Sequence, residues 1–293
     1  TPVGGGLFNT TYRVVTDNPH RDLVVRVGPV NRELLLPYER HLMDAEAHVS
    51  RRLTEAGIPT PRLVVCDTTK TVIERDYMIT EYMDSVAMTD GSVPGEWHDA
   101  LYEESGRIMR QFHAIKGEKF GRIGDFYRGK TYDTWPEFLL AHIEEIGSLC
   151  IERNVFEPEF IGRVIDMYRR CAPLFEVITE PMLTHADIWA GNILVKKFDD
   201  GWHVTAIIDA DRAVYGDIDF ELGSPWIMGE PFFRGYGPVP DSPEHRIRMK
   251  LYCIMYNLID TYVWCVEYVN DHEYNVNRQR AHDTLKWLEE HVH

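Results

Sequence analysis

The hydrophobic period changes once along this chain of 293 residues, and that change constrains the fold more than any single motif. Up to Glu81 the apolar residues fall in short β-rich runs, Tyr12 to Thr16, Leu23 to Val27, Leu63 to Cys66 and Tyr77 to Glu81, with turn chemistry such as Asp17-Asn18-Pro19 between them. One helical pattern interrupts them, from about Asp44 to Ala56. It stops at Gly57, with Pro59 and Pro61 beyond, because glycine accepts a left-handed backbone and proline cannot continue a helix. After Met83 a polar stretch containing Gly and Pro runs to Gly95, and helical spacing then dominates, with Leu101, Ile108, Phe112 and Ile115 on one face of the first such helix. The expectation is an α+β chain of two lobes: a small antiparallel sheet with one helix over residues 1–84, and a larger, mainly helical lobe over 85–293.

A strand-like island, Met182 to Thr184, Ile193 to Lys196 and Val204 to Asp209, lies inside the helical part. Helices must cover such an island, so its loop ends are where polar chemistry can be exposed. One of those ends reads His185-Ala186-Asp187-Ile188-Trp189-Ala190-Gly191-Asn192, and another reads Ile207-Ile208-Asp209. Phosphoryl transfer needs a carboxylate to orient or deprotonate an attacking hydroxyl, and further oxygen ligands to hold magnesium on nucleotide phosphates. Asp187, Asn192 and Asp209 offer those groups. A loop carrying Asp187 and a hairpin ending at Asp209 would bring them to one edge, with His185 bracing the loop. Each residue alone has an ordinary use as a turn, a cap or a strand end; the spacing and the flanking strands together point to chemistry.

Charge and cysteine usage exclude other classes. The 31 Lys and Arg against 47 Asp and Glu give a formal charge of -16, which repels nucleic acid and anionic membrane surfaces. The same balance would attract a cationic small molecule or simply maintain solubility. Five scattered cysteines with no C-x-x-C pair suggest neither a disulfide framework nor a thiolate zinc site. With no basic-then-apolar leader at its start, the chain is expected in the reducing cytoplasm. The apolar run Leu251 to Val269 is interrupted by Asn257, Asp260 and Glu267, so a buried amphipathic helix is expected there rather than a membrane span. Asp209-Ala210-Asp211 begins like a calcium loop but has Val214 where the glycine belongs, and there is no H-E-x-x-H or G-x-S-x-G.

On Leu183-Thr184-His185-Ala186-Asp187 through Asn192, Ile208-Asp209, Tyr215-Gly216-Asp217 and Phe220-Glu221-Leu222, the chain resembles the aminoglycoside phosphotransferase and fructosamine kinase superfamily. The resemblance implies a bilobal protein-kinase-like fold, with Asp187 as catalytic base and Asn192 and Asp209 as metal ligands. It places a nucleotide loop at Gly4 to Val14, where Gly5, Gly6 and Asn9 would let backbone amides approach phosphates. Arg26 stands where the family usually has a lysine, with Glu46 on the following helix as its partner; a guanidinium is longer, planar and bidentate. The segment Met78 to Met83 would present backbone to a purine, with Thr80 bordering the pocket and the Glu81 carbonyl and Met83 amide facing the base. Such recognition leaves ATP and GTP both open. Ala186 replaces a common glycine, adding a methyl group that the loop is expected to tolerate.

On the helix from Leu251, positions Leu251, Ile254, Met255, Leu258, Ile259, Tyr262 and Val266 form a core face and leave Tyr256, Asp260, Trp264 and Glu267 along another. That acidic and aromatic stripe is a candidate surface for a cationic substrate, with a solvated or lobe-packing face as the alternative. The expected function is magnesium-dependent transfer of the γ-phosphate of ATP or GTP to a small-molecule hydroxyl. An aminoglycoside-type or other cationic antibiotic is the first acceptor considered. A fructosamine, ketosamine or other metabolite is the second, and Trp189 with Phe220-Glu221-Leu222 is nearer to that branch. A nucleotide-binding pseudokinase is the alternative outside enzymes. With no D-F-G or A-P-E marks, a protein substrate is not expected.

Overall fold

The structure, a computed structural model, describes residues 2–3, 9–29 and 32–292. Pro2–Val3 (β1), Thr10–Asp17 (β2), His20–Val27 (β3), Leu63–Asp67 (β4) and Tyr77–Glu81 (β5) form an antiparallel sheet in the order β1-β2-β3-β5-β4. The β2–β3 hairpin keeps one register from Thr10 opposite Val27 to Asp17 opposite His20. A single helix, Leu42–Ala56 (α1), covers the sheet by packing Met43 and Ala47 against Met78 of β5, with Leu63 and Cys66 alongside. Gly57 ends it as the sequence suggests, at φ 69°, its N–H donating to the carbonyls of Leu53 and Thr54.

The strand-like island is not one block, as the sequence reading has it, but is divided between two sheets. Ile193–Phe198 (β9) and Gly201–Ile207 (β10) form a tight hairpin, and Val86–Ala87 (β6) adds to the β9 edge. Met182–Thr184 (β8) instead pairs with Val214–Gly216 (β11), which also takes Gly121–Arg122 (β7). The physical reason is chain length: two residues join β9 to β10 and enforce their pairing, while the eight-residue loop after β8 is free to turn away.

Helices His98–Phe112 (α2), Ile123–Phe126 (α3), Trp135–Glu152 (α4), Pro158–Cys171 (α5), Asp219–Leu222 (α6), Gly229–Tyr236 (α7), Pro243–Tyr262 (α8) and Asp271–His291 (α9) complete the larger part. One core joins α4, α5, α8 and α9 through residues such as Ile143, Phe160, Leu258 and Leu285. A second lies under the β9–β10 hairpin, where Ile193, Val195 and Ile207 meet Leu101 and Phe112 of α2 and Phe232 of α7. Clear caps start the long helices, such as the Thr134 and Glu137 capping box of α4 and Ser242 at α8. Helix α8 does not continue as an α-helix to Val269. From Val263 to Glu267 it widens into a π turn, closed by the Tyr268 N–H on the Val263 carbonyl at 3.0 Å. Among the described residues no helix is long and apolar enough to cross a membrane.

Candidate active site

The hairpin register assembles the site. Ile193 lies opposite Ile207, and the Ile208 N–H donates to the Asn192 carbonyl at 3.0 Å, so the residues before β9 and after β10 share one end. The loop from β8 to β9 is cinched from beneath by Glu221 of α6, whose fully buried carboxylate accepts from the N–H groups of His185 (2.5 Å), Ala186 (3.0 Å) and Ile188 (3.4 Å). Burial pulls that carboxyl upward, but His113, His185 and the Ala186 amide outweigh it and hold it below the usual range. His185 braces the loop from its other side, Nε2 donating to the Ile208 carbonyl at 2.9 Å. Ala186 sits at φ 62°, so the cost of alanine here is its left-handed backbone, about 1 kcal/mol, rather than the space for a methyl group.

These contacts place Asp187 facing a cleft of about 630 Å³ that Arg26, Glu46, Thr80, Asn192 and Asp209 also line. Burial pushes the Asp187 carboxyl up to about 6, with Arg212 and His185 opposing the shift. Its Oδ2 lies 3.4 Å from Arg212 Nη1, and Arg212 Nη2 reaches Glu39 Oε1 at 2.8 Å. The Asn192 amide donates from Nδ2 to the Asp187 carbonyl at 2.9 Å, leaving Oδ1 as its available acceptor.

Arg26 and Glu46 are partners, Nη1 lying 2.5 and 2.6 Å from the two carboxylate oxygens, and Nη2 also reaches Asp209 Oδ1 at 2.6 Å. Burial raises Glu46 to about 7 against the pull of Arg26. At Asp209, burial is overcome by Arg26 and the carboxyl stays below its ordinary value. Asp211 completes a group of three carboxylates with Glu46 and Asp209; burial and Asp209 push it well up, and its Oδ1 is buried with no hydrogen-bond partner among the described residues. Asn192, Asp209 and Asp211 thus present hard oxygen donors, one of them orphaned, a set that suits a magnesium ion.

Thr80, Glu81 and Met83 line the same cleft. Arg62 engages Glu81 twice, its guanidinium on the side chain and its carbonyl accepting the Glu81 N–H at 2.9 Å, while among the described residues nothing takes the Glu81 carbonyl or the Met83 N–H. Asn9 lines the cleft, whereas Gly5 and Gly6 lie outside the described residues.

A second cavity of about 310 Å³ opens on the other side of Asp187, and Asp187, Trp189 and Arg212 line both. Its walls are aromatic, including Tyr38, Trp226, Tyr256, Trp264 and Tyr268, and Asp260 lines it too. The expected stripe is therefore broken. Tyr256, Asp260 and Trp264 share the cavity, but Glu267 does not line it, because the π turn carries that residue away from the α-helical face. Glu267 is buried beside Glu39 instead, where burial and that neighbour raise its carboxyl to about 10.

Sequence reasoning missed Glu221 as the clamp, and the chain from Glu39 through Arg212 to Asp187. Phe220-Glu221-Leu222 carries part of the resemblance but no hint of its contact. Glu39 and Arg212 are 173 positions apart, and no local pattern connects them.

The small sheet with its helix, the larger helical lobe and the cleft between them define a bilobal protein-kinase-like fold. Residues 1–243 match the model of the phosphotransferase enzyme family (APH), and the chain belongs to that family. It is a phosphotransferase with a hydroxyl acceptor, of the small-molecule kinase type. Over 277 residues it is 26% identical to the "Probable ketoamine kinase" of Staphylococcus aureus, covering 88% of this chain and 86% of that protein. The crystal structure of a "putative fructosamine-3-kinase" from Thermobifida fusca shares the fold with a TM-score of 0.65 at 20% identity, covering 99% of this chain and 93% of that one. The GDP complex of aminoglycoside 2'-phosphotransferase-IIIa does so with a TM-score of 0.60 at 12% identity, covering 97% and 91%.

Proposed function

We propose that the chain transfers the terminal phosphoryl group of ATP or GTP to a hydroxyl of a ketosamine. The observation that carries this reading is the meeting of two cavities at Asp187: a large cleft edged by backbone and carboxylates, and a smaller aromatic one sized for a single sugar-like acceptor. The likeness to a protein named a ketoamine kinase supports the same acceptor class. A polycationic aminoglycoside fits less well, because the smaller cavity balances Asp187 and Asp260 with Arg122 and Arg212 rather than gathering acids.

In this reading Asp187 accepts the proton of the acceptor hydroxyl as its oxygen bonds to the terminal phosphorus, the bridging P–O bond breaks, and the nucleoside diphosphate leaves. A carboxyl near 6 is ionised at neutral pH yet basic enough for that task. Magnesium held by Asn192, Asp209 and Asp211 would neutralise phosphate charge. Arg26, fixed by Glu46, positions the phosphates, and Arg212, lining both cavities, faces the group in transit. The Asp187, Asn192 and Asp209 groups all line the one cleft, which favours an active enzyme over a pseudokinase. A nucleotide-consumption screen over ketosamines and aminoglycosides, with mass detection of the added phosphate, tests the reading; phosphorylation of aminoglycosides alone would overturn it.

A further inference from the structure

Arg122 is the buried cation that the mechanism leaves unused. It is 2% exposed, at the junction of β7 and α3. Nε donates to His142 Nε2 at 3.0 Å, Nη1 donates to the Arg212 carbonyl at 2.9 Å, and the guanidinium carbon lies 4.2 Å from the centre of the Tyr38 ring. All of these partners are neutral. Among the described residues no carboxylate oxygen lies within 4.0 Å of it. A buried guanidinium is ordinarily matched by an anion, because taking its charge out of water is costly. Among the described residues nothing takes Nη2, on a residue that lines the smaller cavity.

Asp260 is the complementary case. It lines the same cavity, and no hydrogen-bond or ion-pair partner meets it among the described residues. Burial and Asp187 raise its carboxyl to about 7, as befits an acid whose counter-charge is missing. Tyr256 and Trp264 stand on the same wall and offer ring faces to a cation. The other two charges of this cavity are already matched, Arg212 with Glu39 and Asp187. One anion site and one cation site therefore remain open beside the residue that receives the hydroxyl proton.

We infer that the acceptor is a zwitterion: a hydroxyl-bearing ketosamine of a free amino acid, its ammonium on Asp260 among the rings and its carboxylate on Arg122. The inference rests on the ketosamine reading above and narrows it. A protein-bound or polyamine adduct would lack the carboxylate beside the amine and leave Arg122 without its anion. Bidentate capture of a carboxylate by a guanidinium gives both affinity and orientation, and orientation turns the sugar hydroxyls toward Asp187.

The test compares two acceptors that differ only in the carboxylate, 1-deoxyfructosyl-glycine and 1-deoxyfructosyl-methylamine, in a nucleotide-consumption assay with the full chain. The wild-type protein is expected to favour the glycine adduct by at least about 30-fold in kcat/KM, mostly through KM. Arg122→Gln is expected to shrink that ratio to under about threefold, whatever it does to turnover common to both. Asp260→Asn is expected to raise KM for both acceptors and keep the ratio, since the amine is present in each. Equal kcat/KM for the two acceptors in the wild-type protein overturns the inference while leaving the ketosamine reading intact. A ratio preserved in Arg122→Gln also overturns it. Turnover of neither acceptor removes the reading beneath it and the inference together. If Arg122→Gln fails to fold, the wild-type ratio decides alone.

Discussion

Arg26 Nη2 lies 2.6 Å from Asp209 Oδ1 while the other end of the same guanidinium grips Glu46, so one side chain of β3 ties helix α1 to the carboxylate that follows β10. A lysine ammonium at this place could not offer two separately directed nitrogens. Arg26→Met would leave the largely buried Glu46 and the more exposed Asp209 without their cation, and is expected to destabilise the protein by about 2 kcal/mol and raise the nucleotide KM. Arg26→Lys should lose less than half of that stability. Urea titrations and nucleotide saturation curves check both; a methionine variant as stable as wild type would contradict the cross-lobe role.

Asp187→Asn keeps the shape of the loop but cannot take a proton. Turnover is expected to fall by about a thousandfold, with the nucleotide KM changed by less than about threefold. Retention of more than a tenth of normal kcat would remove Asp187 from the role of base.

The Asp187 carboxyl, pushed up to about 6, must be ionised to accept the hydroxyl proton. The plot of log kcat/KM against pH should therefore bend near 6 and drop about tenfold per unit below it. Arg212 opposes the upward shift, so Arg212→Met should move the bend higher by about one unit. An unmoved bend would mean that another group sets the limb.

Much of this arrangement could be read in advance, and the remainder has identifiable causes. Four of the five strands of the sheet, the helix stop at Gly57 and the convergence of Asp187, Asn192 and Asp209 follow from local period, local turn chemistry and hairpin closure, all of which a short window of sequence records. The division of the strand island depends on which partner each strand finds, and that is decided by loop length and by β11, farther along the chain. Glu221, Glu39 and Arg122 act through contacts with distant segments. Glu267 left its expected face because a single widened turn breaks the 3.6-residue period, and the apolar pattern of α8 gives no sign of it.

Glu221→Ala removes the acceptor for three loop N–H groups in a buried setting, and is expected to cost about 4 kcal/mol and at least about tenfold in kcat. Glu221→Gln keeps one acceptor oxygen and should retain about half of the lost stability. Chemical denaturation with single-turnover kinetics separates the two effects; an alanine variant with native stability would show that the loop holds its form unaided.

Asp260 illustrates the opposite sign. Its folded carboxyl is raised to about 7 from an ordinary 3.8, so its contribution favours the folded state below about pH 4 and is lost as pH rises toward 7. Asp260→Asn should be more stable than wild type at pH 8 by up to about 4 kcal/mol, with the gap closing toward pH 4. Thermal melts of both proteins across that range measure it, and a gap that stays flat with pH would refute the assignment.

Asp187, Trp189 and Arg212 belong to the walls of both cavities, so the proposed donor and acceptor sites adjoin across side chains that they share. Such a partition has no depot where a phosphoryl group could wait after the first product departs. Both reactants must be aboard together, and initial-rate lines drawn at several fixed acceptor concentrations should intersect rather than run parallel.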